Sequence, residues 1–173
     1  TGSEGTVSKN DDIKEKKPDT CRKIVVLCHG FNSSKYASLI YAEMYLQMGF
    51  TVIMYDHRNH GLSGKSFTSM GYYEGYDLKK VIDWCYKKFG DNIEIATHGE
   101  SMGGATVLLH LEIDDRVKCV IADCAYSDLT LLLKHQLKTF YHFPQFLVPV
   151  ESMLTYLRAG FKYKQVSPIR AVR

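Results

Sequence analysis

The sequence predicts an α/β fold with a mostly parallel central sheet and helices on both faces. Three observations carry that expectation. Short β-branched runs alternate with helical periodicities, as crossover connections between parallel strands require. The first of these runs, Lys23 to Cys28, is short and β-branched, which suits a strand buried on both faces. The composition, 45% hydrophobic with 24% charged residues over 173 residues, supports one domain with a true core and excludes wholesale disorder.

Taken in order, Thr1 to Thr20 is polar and charged, ending near Pro18, and reads as a tail or long loop. Lys23 to Cys28 (KIVVLC) is the first strand. Tyr36, Ile40, Met44 and Met48 recur at i+4 and trace a helix closed by Gly49. Phe50 to Tyr55 is the next strand, followed by a polar loop containing Gly61, Gly64 and Gly71. Leu78, Val81, Ile82, Cys85 and Phe89 form a helix stripe that Gly90 stops. Ile93 to Thr97 is strand-like, Ala105 to Leu111 helical, and Val117 to Ala122 strand-like again. Residues 21–128 thus read as an α/β core. From 129 to 162 the pattern changes to an apolar, aromatic stretch broken by Pro144 and Pro149, which suits a helical cap inserted over the sheet. Residues 163–173 read as the lead-in to further core.

Several functional classes are excluded at this level. The 22 Lys and Arg against 19 Asp and Glu give only +3, with no basic stripe, so nucleic acid is not an expected partner. No apolar run reaches the roughly 18 residues that a transmembrane helix needs. The five cysteines show no CxxC or Cys/His spacing for zinc, and Cys28, Cys85 and Cys119 read as small buried hydrophobes. Free thiols and the lack of a visible signal peptide suggest a cytoplasmic protein. No motif calls for a cofactor.

The most specific feature is Gly99-Glu100-Ser101-Met102-Gly103-Gly104, between a predicted strand and a predicted helix. That is the context of a G-x-S-x-G nucleophile elbow. A nucleophile on so tight a turn takes a strained backbone, and its neighbours two positions away must be small. Gly99 and Gly103 supply that clearance, and Gly104 lets the helix approach the sheet. The turn lifts the Ser101 hydroxyl above the sheet and aims the Met102 amide toward developing negative charge. His29-Gly30-Phe31 follows the first strand directly, so the Phe31 amide is the candidate second donor of an oxyanion hole. The His29 side chain is expected to brace this loop rather than titrate in catalysis.

With Asp56-His57-Arg58-Asn59-His60-Gly61-Leu62-Ser63 between them, these motifs make the chain resemble a serine α/β-hydrolase of the esterase and lipase-like, bacterial type. The segment from Met70 through Asp77 to Trp84 is similar to the helix before the elbow strand in such enzymes. The resemblance implies Ser101 as nucleophile and the Met102 and Phe31 amides as oxyanion donors. It also implies that the Lys23 strand lies between the Phe50 and Ile93 strands, with the Val117 strand outside. His57, Arg58 and His60 become structural loop residues, and no metal is expected.

The resemblance also implies parts this sequence does not supply. In the family the acid and then the histidine follow the serine, each after a later strand. His110 falls on the elbow helix, more than about 10 Å from the hydroxyl at the rise of an α-helix. His135 and His142 fall in the cap. Asp123, ending the Val117 strand, is a candidate acid, whereas Asp128 reads as a helix start. Four strands are countable, so the sheet is expected to be incomplete and the chain truncated before the acid and histidine, its open edge pairing with the missing C-terminal part or another copy. The expected function is hydrolysis of a small-molecule carboxylic ester with an apolar acyl or aryl group, through an acyl-enzyme on Ser101. The alternatives are a catalytically inactive binding module of this fold, or a peptidase or thioesterase.

Overall fold

The computed structural model describes residues 21–172, so the expected tail, Thr1 to Thr20, lies outside the described residues. Strand β1, Arg22–Cys28, leads through a 3-10 turn, Lys35–Ser38, into α1, Leu39–Gln47. Then come β2 (Thr51–Met54), α2 (Tyr72–Phe89), β3 (Ile93–Glu100), α3 (Met102–His110) and β4 (Val117–Asp123). Helices α4 (Leu129–Thr139) and α5 (Leu147–Ala159) follow, then a 3-10 turn at Tyr163–Gln165 and α6 (Pro168–Ala171).

The four described strands form one parallel sheet in the order β2-β1-β3-β4. This is the arrangement expected for the Lys23, Phe50, Ile93 and Val117 strands. Central β1 carries five consecutive buried residues, Ile24 to Cys28, because helices cover both of its faces. On one side Ile24, Val26 and Cys28 meet Leu78, Ile82 and Cys85 of α2 and Val107 of α3. On the other, Val25 and Leu27 meet Ala42 and Tyr45 of α1. Both faces of one strand therefore feed two cores, and the strand's period of two sorts them.

One predicted helix packs on a face other than its large apolar stripe, and one expectation of burial fails. The Tyr36, Ile40, Met44 and Met48 stripe is helical or turn-like, but all four side chains are exposed. The face that packs on the sheet is Ser38, Ala42 and Tyr45. Small Ala42 permits close approach, and the Tyr45 hydroxyl lies 3.0 Å from Nδ1 of His98 on β3, a polar tie that fixes the helix rotation. Cys119 is exposed rather than buried, because β4 is an edge of the described sheet, with Lys118, Cys119, Ile121 and Ala122 open. Cys28 and Cys85 are buried as expected, and all five thiols are free. Strand β3 also runs past Thr97 to Glu100, and α3 begins at Met102 rather than Ala105, so strand and helix abut at Ser101.

Beyond β4, the Asp128 side chain caps α4 by accepting from the Leu131 amide, as its reading as a helix start requires. Leu129, Val148, Phe161, Tyr163 and Val166 then gather with Leu109 of α3 into a third cluster. This cluster seats the aromatic segment beside α3. The loop between α4 and α5 faces outward.

Candidate active site

The elbow is built from its backbone. Ser101 has φ 53° and ψ −112°, a conformation that a residue with a side chain avoids unless its surroundings hold it. Its amide donates to the Asp123 carbonyl at 2.8 Å, extending the β3–β4 ladder past the last strand residue. Its own carbonyl accepts from the Ala105 amide at 3.0 Å, which starts α3. Ser101 is exposed, while Met102 through Val107 are buried beneath it. One turn thus presents a hydroxyl to solvent at the N-terminus of a helix.

The glycines act through close approach. A methyl group built on Gly99 would sit 2.1 Å from the Gly103 carbonyl oxygen, and one on Gly103 would sit 2.0 Å from the Cys28 carbonyl oxygen. The tightest contact between α3 and the sheet is therefore at Gly103; Gly104, expected to make it, would meet nothing nearer than 3.0 Å.

The loop after β1 is brought against this turn: a methyl group built on Gly30 would lie 3.6 Å from the Ser101 Cβ. Two histidines pin the loop. His29 Nδ1–H donates to the Gly30 carbonyl at 2.8 Å, and its Nε2 accepts from the His57 amide at 3.0 Å. His60 Nδ1–H donates to the Arg58 carbonyl at 2.8 Å, and its Nε2 accepts from the Asn32 amide at 3.1 Å. Phe31 therefore sits between two fixed residues, its ring exposed and edge-on to His60. Both imidazoles must be neutral to accept these amides. Burial holds His29 below the ordinary histidine range, against the pull of its bond to the Gly30 carbonyl.

The Asp56 to Ser63 segment is the frame for that pinning. The Asp56 carboxylate accepts from the Lys35 amide (2.7 Å), the Lys35 ammonium (2.8 Å) and the Leu62 amide (3.1 Å). Burial opposes its charge, but these donors override burial and hold its pKa at about 2. Arg58 forms a fork onto Asp77 of α2, at 2.6 and 2.8 Å, and lies over the Tyr73 ring. We expect Asp56→Asn to lose about 2 kcal/mol, because an amide cannot accept from all three donors. Urea unfolding at neutral pH measures it, and an unchanged midpoint would refute the role.

Asp123 ends β4 with its carboxylate already engaged. Oδ2 accepts from the Tyr41 hydroxyl at 2.8 Å and Oδ1 from the Cys124 thiol at 3.0 Å, bonds that lower its pKa. Tyr41 in turn lies against His98, with ring centroids 4.3 Å apart. Tyr41, Tyr45 and His98 were invisible as a group in the sequence; the one local signal is the i+4 spacing of the tyrosines on α1. His110 is fully buried and bonded to the Gly75 carbonyl at 3.0 Å, while His135 and His142 lie in the α4–α5 segment. Among the described residues, no histidine hydrogen-bonds the Ser101 hydroxyl, and no group of three His, Cys, Asp or Glu side chains is placed to hold a metal.

A parallel sheet in this order, with a strained serine between its third strand and the following helix, defines the core of an α/β hydrolase. The chain belongs to that family: the family model described as alpha/beta hydrolase fold matches residues 23–152. The chain is similar to YqkD of Bacillus subtilis, an uncharacterized protein, with 35% identity over 158 residues, covering 90% of this chain and 52% of that protein. An Escherichia coli 31.7 kDa protein, also uncharacterized and encoded in the traX-finO intergenic region, is 32% identical over 113 residues, 64% of this chain and 40% of its own length. Among solved structures, the Pyrococcus furiosus esterase Pf2001 superposes with a TM-score of 0.63 at 27% identity, over 82% of this chain and 54% of the esterase. The chain thus spans about half the length of the relatives it matches.

Proposed function

We propose that this chain carries the nucleophile half of a serine hydrolase that cleaves a small-molecule carboxylic ester with an apolar acyl or aryl group. The observation that carries this is Ser101 itself, exposed at φ 53° on the strand-to-helix turn with Gly30 packed beside it. The esterase likeness of the Pyrococcus structure supports the choice of ester. Ser101 Oγ bonds to the ester carbonyl carbon and gives its proton to a general base. The carbonyl oxygen becomes an anion held by the Met102 and Phe31 amides, and the intermediate collapses by expelling the alcohol, which takes up that proton. Water then releases the acyl group by the same steps. Each oxyanion donor is worth about 3 kcal/mol of barrier.

The base and its acid partner are assigned to the portion of the fold that the relatives have beyond the matched half. Asp123, with both carboxylate oxygens engaged and its carbonyl on the Ser101 amide, supports the elbow in this scheme rather than the base. The α4–α5 segment acts as the cap that receives the apolar part of the ester.

Labelling with a fluorophosphonate probe tests the proposal. Stoichiometric label on the full-length protein, lost in Ser101→Ala, is the expected result. No label on a folded full-length protein would instead identify a binding module of this fold. Label without turnover of p-nitrophenyl esters, but with cleavage of a thioester or peptide, would move the activity to another acyl group.

A further inference from the structure

We infer that the outer surface of the α4–α5 segment docks on an anionic phospholipid bilayer. The loop between the helices, 140–146, exposes four aromatic rings: Phe140 at 68%, Tyr141 at 65%, Phe143 at 57% and Phe146 at 70%. Residues of this kind are normally withdrawn from water, and four together form a patch rather than scattered exposure. Helix α5 continues it with its amphipathicity turned outward. Leu147, Val150, Leu154 and Leu157, one stripe at three- and four-residue spacing, are all exposed. The inward stripe is Val148, Ser152, Thr155 and Ala159, where Ser152 accepts the Tyr163 amide and Thr155 lies 3.0 Å from the Tyr163 hydroxyl. These polar bonds to the 3-10 turn fix the helix rotation, so the apolar stripe faces outward, with Leu154 at its edge lining a cavity shared with Phe67, Thr68 and Phe161.

Charge selects the occupant. Residues 129–165 carry five basic side chains, Lys134, Lys138, Arg158, Lys162 and Lys164, against the single acid Glu151. That is a net +4 in a chain whose total is only +3, so the rest of the molecule is slightly acidic. Among the described residues, Lys134, Lys138, Arg158, Lys162 and Lys164 form no ion pair, and Lys162 lies over the Tyr156 ring, at the border of the stripe. Exposed aromatics that enter the headgroup region, an adjoining leucine stripe and a basic surround form the pattern of an interfacial helix and loop. A second copy of this chain would oppose +4 to +4, and a neutral surface would leave the segregated charge without a use.

The property goes beyond the proposed chemistry and is read without any turnover. The full-length protein is sedimented with vesicles of phosphatidylcholine alone and of equal parts phosphatidylcholine and phosphatidylserine. Binding is expected to favour the anionic vesicles, to weaken with salt, and to fall about fivefold for each of Lys134→Gln and Lys138→Gln. Phe143→Ser combined with Phe146→Ser is expected to reduce binding at least tenfold while circular dichroism stays unchanged, since both side chains are exposed. A gain-of-signal variant, Phe143→Trp, should show a blue shift on adding anionic vesicles, beyond that of the unsubstituted protein. Equal binding to both vesicles, no binding, or no shift at Phe143→Trp would overturn the inference. So would a concentration-dependent dimer dissolved by the double serine variant, which would assign the patch to a second copy. Unaltered vesicle binding by that variant would equally overturn it.

Discussion

Gly103→Ala is expected to lose nearly all fluorophosphonate labelling while much of the fold survives. The new methyl group would lie 2.0 Å from the Cys28 carbonyl oxygen, 2.6 Å from its carbon and 2.8 Å from the His29 oxygen. All three are backbone atoms, so no side-chain rotation relieves the contact, and α3 must move away from β1 by more than 1 Å, on the order of the gap to a normal contact. The displacement falls on both halves of the site at once. Ser101 and Met102 move with α3, while Cys28 and His29 lead into Gly30 and Phe31. A shift of about 1 Å between reacting groups can cost a hundredfold in rate, and overpacking of this kind costs about 3 kcal/mol in stability. Gly104→Ala is the control. Its methyl group meets the Ala125 Cβ and the Gly99 oxygen at 3.0 Å, so a few tenths of an ångström suffice. We expect it to lose about 1 kcal/mol and to retain labelling within tenfold. Labelling rates and urea unfolding of the two variants decide the matter, and equal losses would refute the geometric assignment.

The sequence carried the chain order of the fold well because strand β1 holds a continuous apolar run, Ile24 to Cys28, and α2 has one unambiguous stripe, Leu78, Ile82 and Cys85. It located α1 without showing the packing face, because that helix is apolar on more than one side. Periodicity selects the larger side chains, Ile40 and Met44, whereas packing selected small Ala42 and a tyrosine whose hydroxyl could reach His98. Cys119 failed for a related reason: a β-branched run says nothing about whether a neighbour covers the strand. In the site, Ser101 was legible because its turn needs glycines at fixed offsets. The role of His60 at the Asn32 amide was not, since 28 residues separate them and only the folded loop places one against the other. The same holds for Tyr41 and Asp123, 82 residues apart.

The buried histidines give the last prediction, an acid-sensitive stability that one substitution should blunt. His57 is fully buried, edge-on to His29 at 4.6 Å and to Tyr55 at 5.0 Å, and neither ring nitrogen has a hydrogen-bond partner among the described residues. Burial first, and then the neighbouring His29 and His60, push its pKa down to about 3, with Asp56 pulling weakly the other way. In the unfolded chain the same ring titrates near 6.5. Between those values the unfolded state holds a proton that the folded state refuses. Stability from this group is therefore complete above about pH 6.5 and is lost progressively as the pH falls toward 3, by roughly 1.4 kcal/mol per pH unit. Burial lowers His29, His98 and His110 in the same direction, so several protons are taken up on unfolding over the upper part of that window. Asp56 adds its own loss only lower, between its unfolded value near 4 and its folded value of about 2. His57→Phe keeps an aromatic ring against His29 and Tyr55 and leaves the His57 backbone amide free to donate to His29 Nε2. It removes two buried nitrogens that lack partners, so stability at pH 7 should hold or rise slightly. The slope of unfolding free energy between pH 6.5 and 4.5 should fall by about one proton's worth, roughly 1.4 kcal/mol per pH unit. Urea unfolding at several pH values measures both quantities. An unchanged slope would mean that the His57 ring already holds its proton in the folded protein.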